Sequence, residues 1–487
     1  MAKEDPFATI AAILAEALDY KTPEGKGSIK AALEGLFDSR YHLASRAKNL
    51  FRDAYALKDD GVPYAGVTAA ENPPSGAYGG ASLAWFPTDA GTLVTLVVGT
   101  KGLAPDEGLL TRHGHRRRVE ALRRYLARQG VVSWSKSDPA AIATSVPEAA
   151  RRLFPQCESV FARYGEVIYS AAWVPKDDVG VARRVASAYF DLYGRERGWH
   201  ARAEYAKEAE GFVGSLQNDL FPRVSAEDVN ALLRERHFVV LQGPPGTGKT
   251  RMAETVKHTF FGSRGRTVQF HPAVTYEDFI VGLSPDPTNA GLRFEARPGW
   301  LLQSAEEAGA DPYLLVVDEI NRGDLGKVLG EAIYLFEPGE IGGERPREVA
   351  LPHAVRGKRS FRLPPNLYVL ATMNTADRSI AGMDLAVRRR FAFVTLMPDR
   401  SAIDLPAAQN LSERLVDVFV EHASDDMLHL LPGHSYFLAS NESQLRTRLR
   451  YEVLPLLEEY LRQGLLGAAT SDLHAVREQI NDFIAAA

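Results

Sequence analysis

Gly243-Pro244-Pro245-Gly246-Thr247-Gly248-Lys249-Thr250 fits the phosphate-binding loop pattern G-x-x-x-x-G-K-[ST]. Its flanks supply the context that pattern requires. His237-Phe238-Val239-Val240-Leu241 reads as a short buried strand, and Arg251 onward reads as a helix. Glycines let successive backbone N–H groups turn inward into a concave anion nest. The helix that follows aims the positive end of its dipole at the same point. In such a loop Lys249 reaches the β- and γ-phosphates of a nucleotide, and Thr250 places its hydroxyl on Mg2+.

Around the loop, five apolar runs alternate with helical stretches: His237–Gln242, Thr267–His271, Tyr313–Ile320, Leu367–Asn374 and Phe391–Met397. This alternation predicts a parallel five-stranded sheet with helices on both faces. Ligands of such sheets bind beyond the carboxyl ends of the strands, and the polar residues fall there. The third run ends in Asp318-Glu319. Asp318 is expected to hold Mg2+, directly or through water, and Glu319 to orient and polarise the attacking water. Cleaving a phosphoanhydride rests on positioning and charge stabilisation more than on covalent chemistry. The fourth run leads into Thr372-Met373-Asn374-Thr375-Ala376-Asp377-Arg378-Ser379, which sets Asn374 beside the γ-phosphate. Arg388-Arg389-Arg390 precedes Phe391. Three arginines are costly to bury unpaired. A neighbouring subunit's triphosphate would give them partners, as trans-acting arginine fingers do; a solvated cluster or pairing within the chain is the alternative.

The chain has 487 residues, 45% of them apolar, enough for two or three domains with cores of their own. Its net charge of −5 excludes a global basic field, so any contact with DNA must be a local patch. The single cysteine, Cys157, rules out an intrachain disulfide. The acidic start and the lack of an uncharged run approaching ~18 residues predict a soluble, cytoplasmic protein with no membrane span.

Residues 1–200 are expected to form an α+β domain, 201–225 a helical connector, 226–400 the α/β nucleotide-binding subdomain, and 401–487 a helical lid and tail. In the first of these, Phe7, Ile10, Ile13, Leu14 and Leu18 give an amphipathic opening helix, followed by a turn at Gly25 to Gly27 and a second helix carrying Leu33, Leu36 and Phe37. Ala81–Phe86, Thr92–Val98, Val131–Trp134 and Val167–Trp173 read as strands, and His115–Arg128 and Val179–Tyr193 as helices. On the helix His115–Arg128, Arg117, Arg124 and Arg128 lie at i, i+7 and i+11 and share a face off the Val119, Leu122 and Leu126 stripe. That face is a candidate grip for DNA phosphates, set against the plain alternative of a solvated helix surface.

Loop, Asp318-Glu319 and Asn374, in this order, resemble an AAA+ nucleoside triphosphatase. Val268-Gln269-Phe270-His271-Pro272, Asp318-Glu319-Ile320-Asn321-Arg322-Gly323, Met373-Asn374-Thr375-Ala376-Asp377-Arg378-Ser379 and Gly433-His434-Ser435-Tyr436-Phe437 narrow the resemblance to McrB proteins. It spans about 225 to 465 and leaves the first 200 residues unrecognised. The resemblance implies a homo-hexameric ring that binds GTP or ATP between subunits, with a McrC-like nuclease as partner. It implies that Asn374 acts as sensor 1, that Asp377 supports the catalytic water, that Arg389 is the trans finger and Arg390 a second γ-phosphate contact, and that Arg322 reaches across the interface. The basic stretch from Arg345 to Arg362 looks like a hairpin insertion of related clades. The expected function is a nucleotide-hydrolysing motor of a McrBC-like restriction system, which recognises DNA or another phage-derived cue through residues 1–200. A MoxR-like remodelling chaperone is the alternative. His434 is expected to cap or pack a turn, with nucleotide contact as the other possibility.

Overall fold

The computed structural model describes residues 5–17, 22–42, 44, 49–54, 61–209, 220–285, 294–343, 346–376 and 385–486. The chain divides into two compact units, Met1–Leu220 and Phe221–Ala487.

The first unit is built on a six-stranded sheet, β1 (Asn49–Ala54), β2 (Tyr64–Ala69), β3 (Ala81–Thr88), β4 (Gly91–Val98), β5 (Ser133–Ser135) and β6 (Ile168–Pro175), in the order β1-β2-β3-β4-β6-β5. Every neighbouring pair is antiparallel. Period-two alternation assigns each face its own core. Leu83, Trp85, Val94, Leu96 and Val174 pack with the long helices, while Ala84, Phe86, Leu93 and Ile168 pack with Phe154, Cys157 and Phe161. The helices are Ala8–Ala15, Pro23–Ser39, His113–Arg128 and Val179–Glu196. The turn expected at Gly25 to Gly27 is instead the start of the second helix. Thr22 caps it by accepting from the Gly25 N–H, and Pro23 occupies its first turn, a pairing that overrides the glycines' weak propensity. Leu18 lies outside the described residues.

The second unit carries a five-stranded, wholly parallel sheet. Its strands are β7 (Phe238–Gly243), β8 (Gly265–Gln269), β11 (Tyr313–Asp318), β14 (Leu367–Asn374) and β15 (Ala392–Thr395), in the order β15-β7-β14-β11-β8. Phe238, Val240, Leu315, Val317 and Val369 face one core, and Val239, Leu241, Leu314, Val316 and Leu370 the other. Burial on both faces explains why β7, β11 and β14 read as continuous apolar runs. This is the α/β AAA+ fold. Two antiparallel hairpins are inserted: β9 (Val281–Pro285) with β10 (Phe294–Pro298), and β12 (Val349–Val355) with β13 (Lys358–Phe361). The second falls in the basic stretch read as an insertion; the first was not legible.

A helical region with its own core completes the unit, from Pro406–His422 to Thr470–Ala485. Within it, Pro455 sits in the first turn of Leu454–Gln463, directly after a π-helical segment, Leu449–Val453. The wider turn takes up the carbonyl that a proline ring would otherwise strike. No helix among the described residues is long and apolar enough to cross a membrane.

Candidate nucleotide-binding site

β7 lies between β14 and β15, and its last residue, Gly243, is in register with Asn374 at the end of β14. The sheet therefore delivers the loop and the carboxyl ends of β14 and, one strand further, β11 to one edge. Gly246 and Gly248 have φ of 78° and 80°, left-handed values that strain any side-chain-bearing residue. The Thr247 hydroxyl donates to the Pro244 carbonyl at 3.0 Å and staples the turn. The N–H groups of Gly246, Thr247 and Gly248 donate to no backbone carbonyl among the described residues, which leaves an open nest at the start of the helix Lys249–Phe261. Lys249 is only 8% exposed. Its Nζ donates to the carbonyls of Gly243 (3.0 Å) and Pro244 (2.6 Å). Burial pulls its pKa down to about 8, against the opposing pull of Glu319 and Asp318.

Three hydroxyl and carboxyl groups interlock beside the nest. Thr250 Oγ1 donates to Asp318 Oδ1 at 2.9 Å, and Thr372 Oγ1 donates to the same oxygen at 2.6 Å. Thr372 Oγ1 in turn accepts the Glu319 N–H at 3.0 Å. Glu319 has φ 54°, a left-handed turn that costs a non-glycine residue about 1–3 kcal/mol and breaks the alternation of β11. Its carboxylate lies 3.5 Å from Arg322 Nε. Asn374 accepts the Ala376 N–H through Oδ1 at 3.2 Å, while its carbonyl accepts from Asn321 Nδ2 at 3.1 Å. Asp377 lies outside the described residues. Thr250 and Asp318 offer adjacent hard oxygens, the donor set that suits Mg2+. No group of three His, Cys, Asp or Glu side chains suited to a metal occurs among the described residues. Thr372, buried at the centre of the cluster, was missed by sequence reasoning. Its only signal is a short hydroxyl side chain in a largely apolar strand, two residues before the strand's polar end.

The arginines near β15 part company. Arg389 is 66% exposed and only grazes Glu337, at 3.4 Å. Arg390 is buried: its Nε lies 3.1 Å from Glu337 and its Nη1 donates to the Ala386 carbonyl at 2.8 Å. Within this chain the Arg390 guanidinium is paired with Glu337 and the Ala386 carbonyl.

The helical region reaches the loop. The Gly433 N–H donates to the Pro245 carbonyl (2.8 Å) and the Ser435 N–H to the Gly246 carbonyl (3.0 Å). A Cβ on Gly433 would stand 2.1 Å from the Gly246 backbone, so only glycine fits. His434 does pack a turn, accepting the Asp399 N–H through Nδ1 at 3.1 Å.

The N-terminal arginines do not form the shared face that helical spacing suggested. Arg117 and Arg118 are buried. Arg118 Nε lies 2.6 Å from Glu196 Oε1, which also contacts His115 Nδ1 at 3.0 Å. Arg123 and Arg124 both turn to Glu120, whose carboxyl is held at about 2, chiefly by the Arg123 hydrogen bond. Arg124 and Arg128 remain on the surface, but Arg117 does not join them.

Residues 238–391 match the AAA domain of the dynein-related subfamily. The chain is 34% identical over 275 residues to the type IV methyl-directed restriction enzyme EcoKMcrB subunit of Escherichia coli K12, covering 50% of this chain and 58% of that protein. It is 26% identical over 241 residues to the type II restriction enzyme BsuMI component YdiS of Bacillus subtilis 168, covering 41% of this chain and 68% of that protein. The match therefore spans little more than half of the Escherichia coli subunit's length.

Proposed function

We propose that this chain, whose C-terminal half is a McrB-like AAA+ domain, is the nucleoside triphosphate-hydrolysing motor subunit of a restriction system. The observation that carries the reading is the interlock of Thr250, Asp318, Thr372 and the Glu319 N–H beside an open phosphate nest. Triphosphate oxygens are stronger partners for the Lys249 ammonium than two loop carbonyls, so binding draws Nζ off Gly243 and Pro244. Thr250 and Asp318 would hold Mg2+, which would neutralise phosphate charge there. Thr372 fixes Asp318 and the Glu319 backbone in one frame, leaving the Glu319 carboxylate to take a proton from the attacking water. Asn374 and Asp377 keep that water in line. Arg389, exposed like Arg388 and unlike Arg390, supplies positive charge to a neighbouring subunit's site, with Arg322 at the same interface. Arg390 stays with Glu337 and positions Arg389.

The subunits assemble as a homo-hexamer, and a McrC-like nuclease supplies cleavage in trans. Residues 1–220 select the target, DNA or a phage-derived cue, through a surface other than an Arg117, Arg124 and Arg128 face. Incubating the full chain with GTP and with ATP, with and without Mg2+, tests the reading. One of the two is hydrolysed by the wild type, and Lys249→Ala neither binds nor hydrolyses it; turnover that survives Lys249→Ala refutes the assignment.

A further inference from the structure

The lid places an unspent hydrogen-bond donor at the phosphate loop. The backbone bonds Gly433 N–H to Pro245 and Ser435 N–H to Gly246 bring the residue between them, His434, over the loop. Arg448 Nη1 donates to the Ser435 carbonyl at 2.9 Å and fixes the far side of the turn. The ring's tautomer follows from geometry. A backbone amide can only donate, so His434 Nδ1, which faces the Asp399 N–H at 3.1 Å, carries a lone pair. The proton is then on Nε2. Burial disfavours a second proton on the ring, against the pull of Asp399 and with a smaller push from Arg251.

Nε2 has no protein partner among the described residues. It lies 3.7 Å from the point where a Cβ on Gly248 would stand. Gly248 is required by its φ of 80°; a Cβ there would stand at ordinary van der Waals distance from the imidazole, so the ring's open nitrogen lies directly beside the loop. A half-buried ring, locked at one nitrogen by backbone and open at the other beside an anion nest, is arranged to donate to what the nest holds.

Resting on the nucleotide-binding reading above, we propose that His434 is a nucleotide-contacting residue, donating its Nε2–H across Gly248 to the bound nucleoside triphosphate. The lid would then sense occupancy of the loop directly, through a side chain as well as through its backbone clasp.

Fluorescence titration of the full chain with GTP and with ATP, beside nucleotide-free melting curves, tests this. Gln places an amide N–H near the reach of Nε2, whereas Ala removes the donor. His434→Ala is expected to raise Kd roughly tenfold, the usual scale for one hydrogen bond to a charged group. His434→Gln should stay within about threefold of wild type, since a neutral donor is retained. Should His434→Ala melt early, His434→Asn, whose shorter amide falls short of the nucleotide, replaces it in the comparison with His434→Gln. A wild-type Kd in the donor-less variant overturns the proposal, as does an equal loss in the Gln variant. If the wild type binds neither nucleotide, the nucleotide reading itself fails. If the wild type binds, Lys249→Ala does not, and His434→Ala is unaffected, only this inference fails.

Discussion

The helix His113–Arg128 and the segment Arg388–Arg390 are both rich in arginine and use it differently. In the first, Arg118 is buried against Glu196, and Arg123 and Arg124 converge on Glu120. The same habit recurs through the N-terminal unit, where Arg40 pairs with Asp191 at 2.8 Å and Arg197 with Asp106 at 2.6 Å. There the buried arginines are structural cross-links between elements, while Arg123 and Arg124 pair within their own helix. In the second, one arginine is spent on Glu337 and its neighbour is left largely in solvent at the rim of the nucleotide-binding unit. A run of like charge therefore says little about function until the partners of each guanidinium are known.

The largest expected effect would break the comparison at Arg389. Arg389→Ala should bind nucleotide yet hydrolyse it about 10³-fold more slowly, the scale of a trans-acting finger. Mixing it with Lys249→Ala should restore part of the activity, because intact fingers then face intact pockets. Mixed rings without rescue would place the arginine's action inside its own subunit.

On the other side, Arg118→Ala leaves the buried Glu196 carboxylate with His115 alone and should destabilise the protein by about 3 kcal/mol, whereas Arg124→Ala, at a surface pair, should cost about 1 kcal/mol or less. Urea unfolding of the two variants reads the difference directly. Equal, small losses would mean that the N-terminal arginines are not the cross-links described here.

A smaller effect concerns pH. Without nucleotide, burial holds Lys249 at about 8, and bound phosphates raise it. Its contribution to affinity is thus complete below about pH 8 and is lost as pH rises above that value, with Kd climbing by up to tenfold per unit. Titrations between about pH 7 and pH 9.5 should show a flat limb, then a rising one. Affinity that improves with pH would contradict the sign.

What was legible follows from how local each signal is. β7 running into the loop, β11 ending in Asp318 and β14 ending in Asn374 are continuous apolar runs that stop at glycine or polar residues, and the parallel sheet is inferred from them. β9, with Gly282 and Pro285, is short and half exposed, and β1 carries Arg52 in its middle; neither pattern announces a strand. Arg118 and Glu196 are 78 residues apart, so no helical-wheel argument could pair them, and the wheel assigned Arg117 to the surface. Thr372 escaped for the opposite reason. It sits in a well-read strand, but its role depends on β14 lying next to β11, which is a matter of sheet order rather than of sequence spacing.

The central claim, that the edge where β7, β11 and β14 end is a hydrolytic site, is tested most directly by measuring binding and turnover on one preparation of Glu319→Gln. The substitution keeps the shape and the backbone N–H to Thr372 but removes the proton acceptor. Nucleotide affinity should stay close to wild type while turnover falls about 10²-fold or more, the contribution of a positioned base. Near-normal turnover in Glu319→Gln would contradict the account.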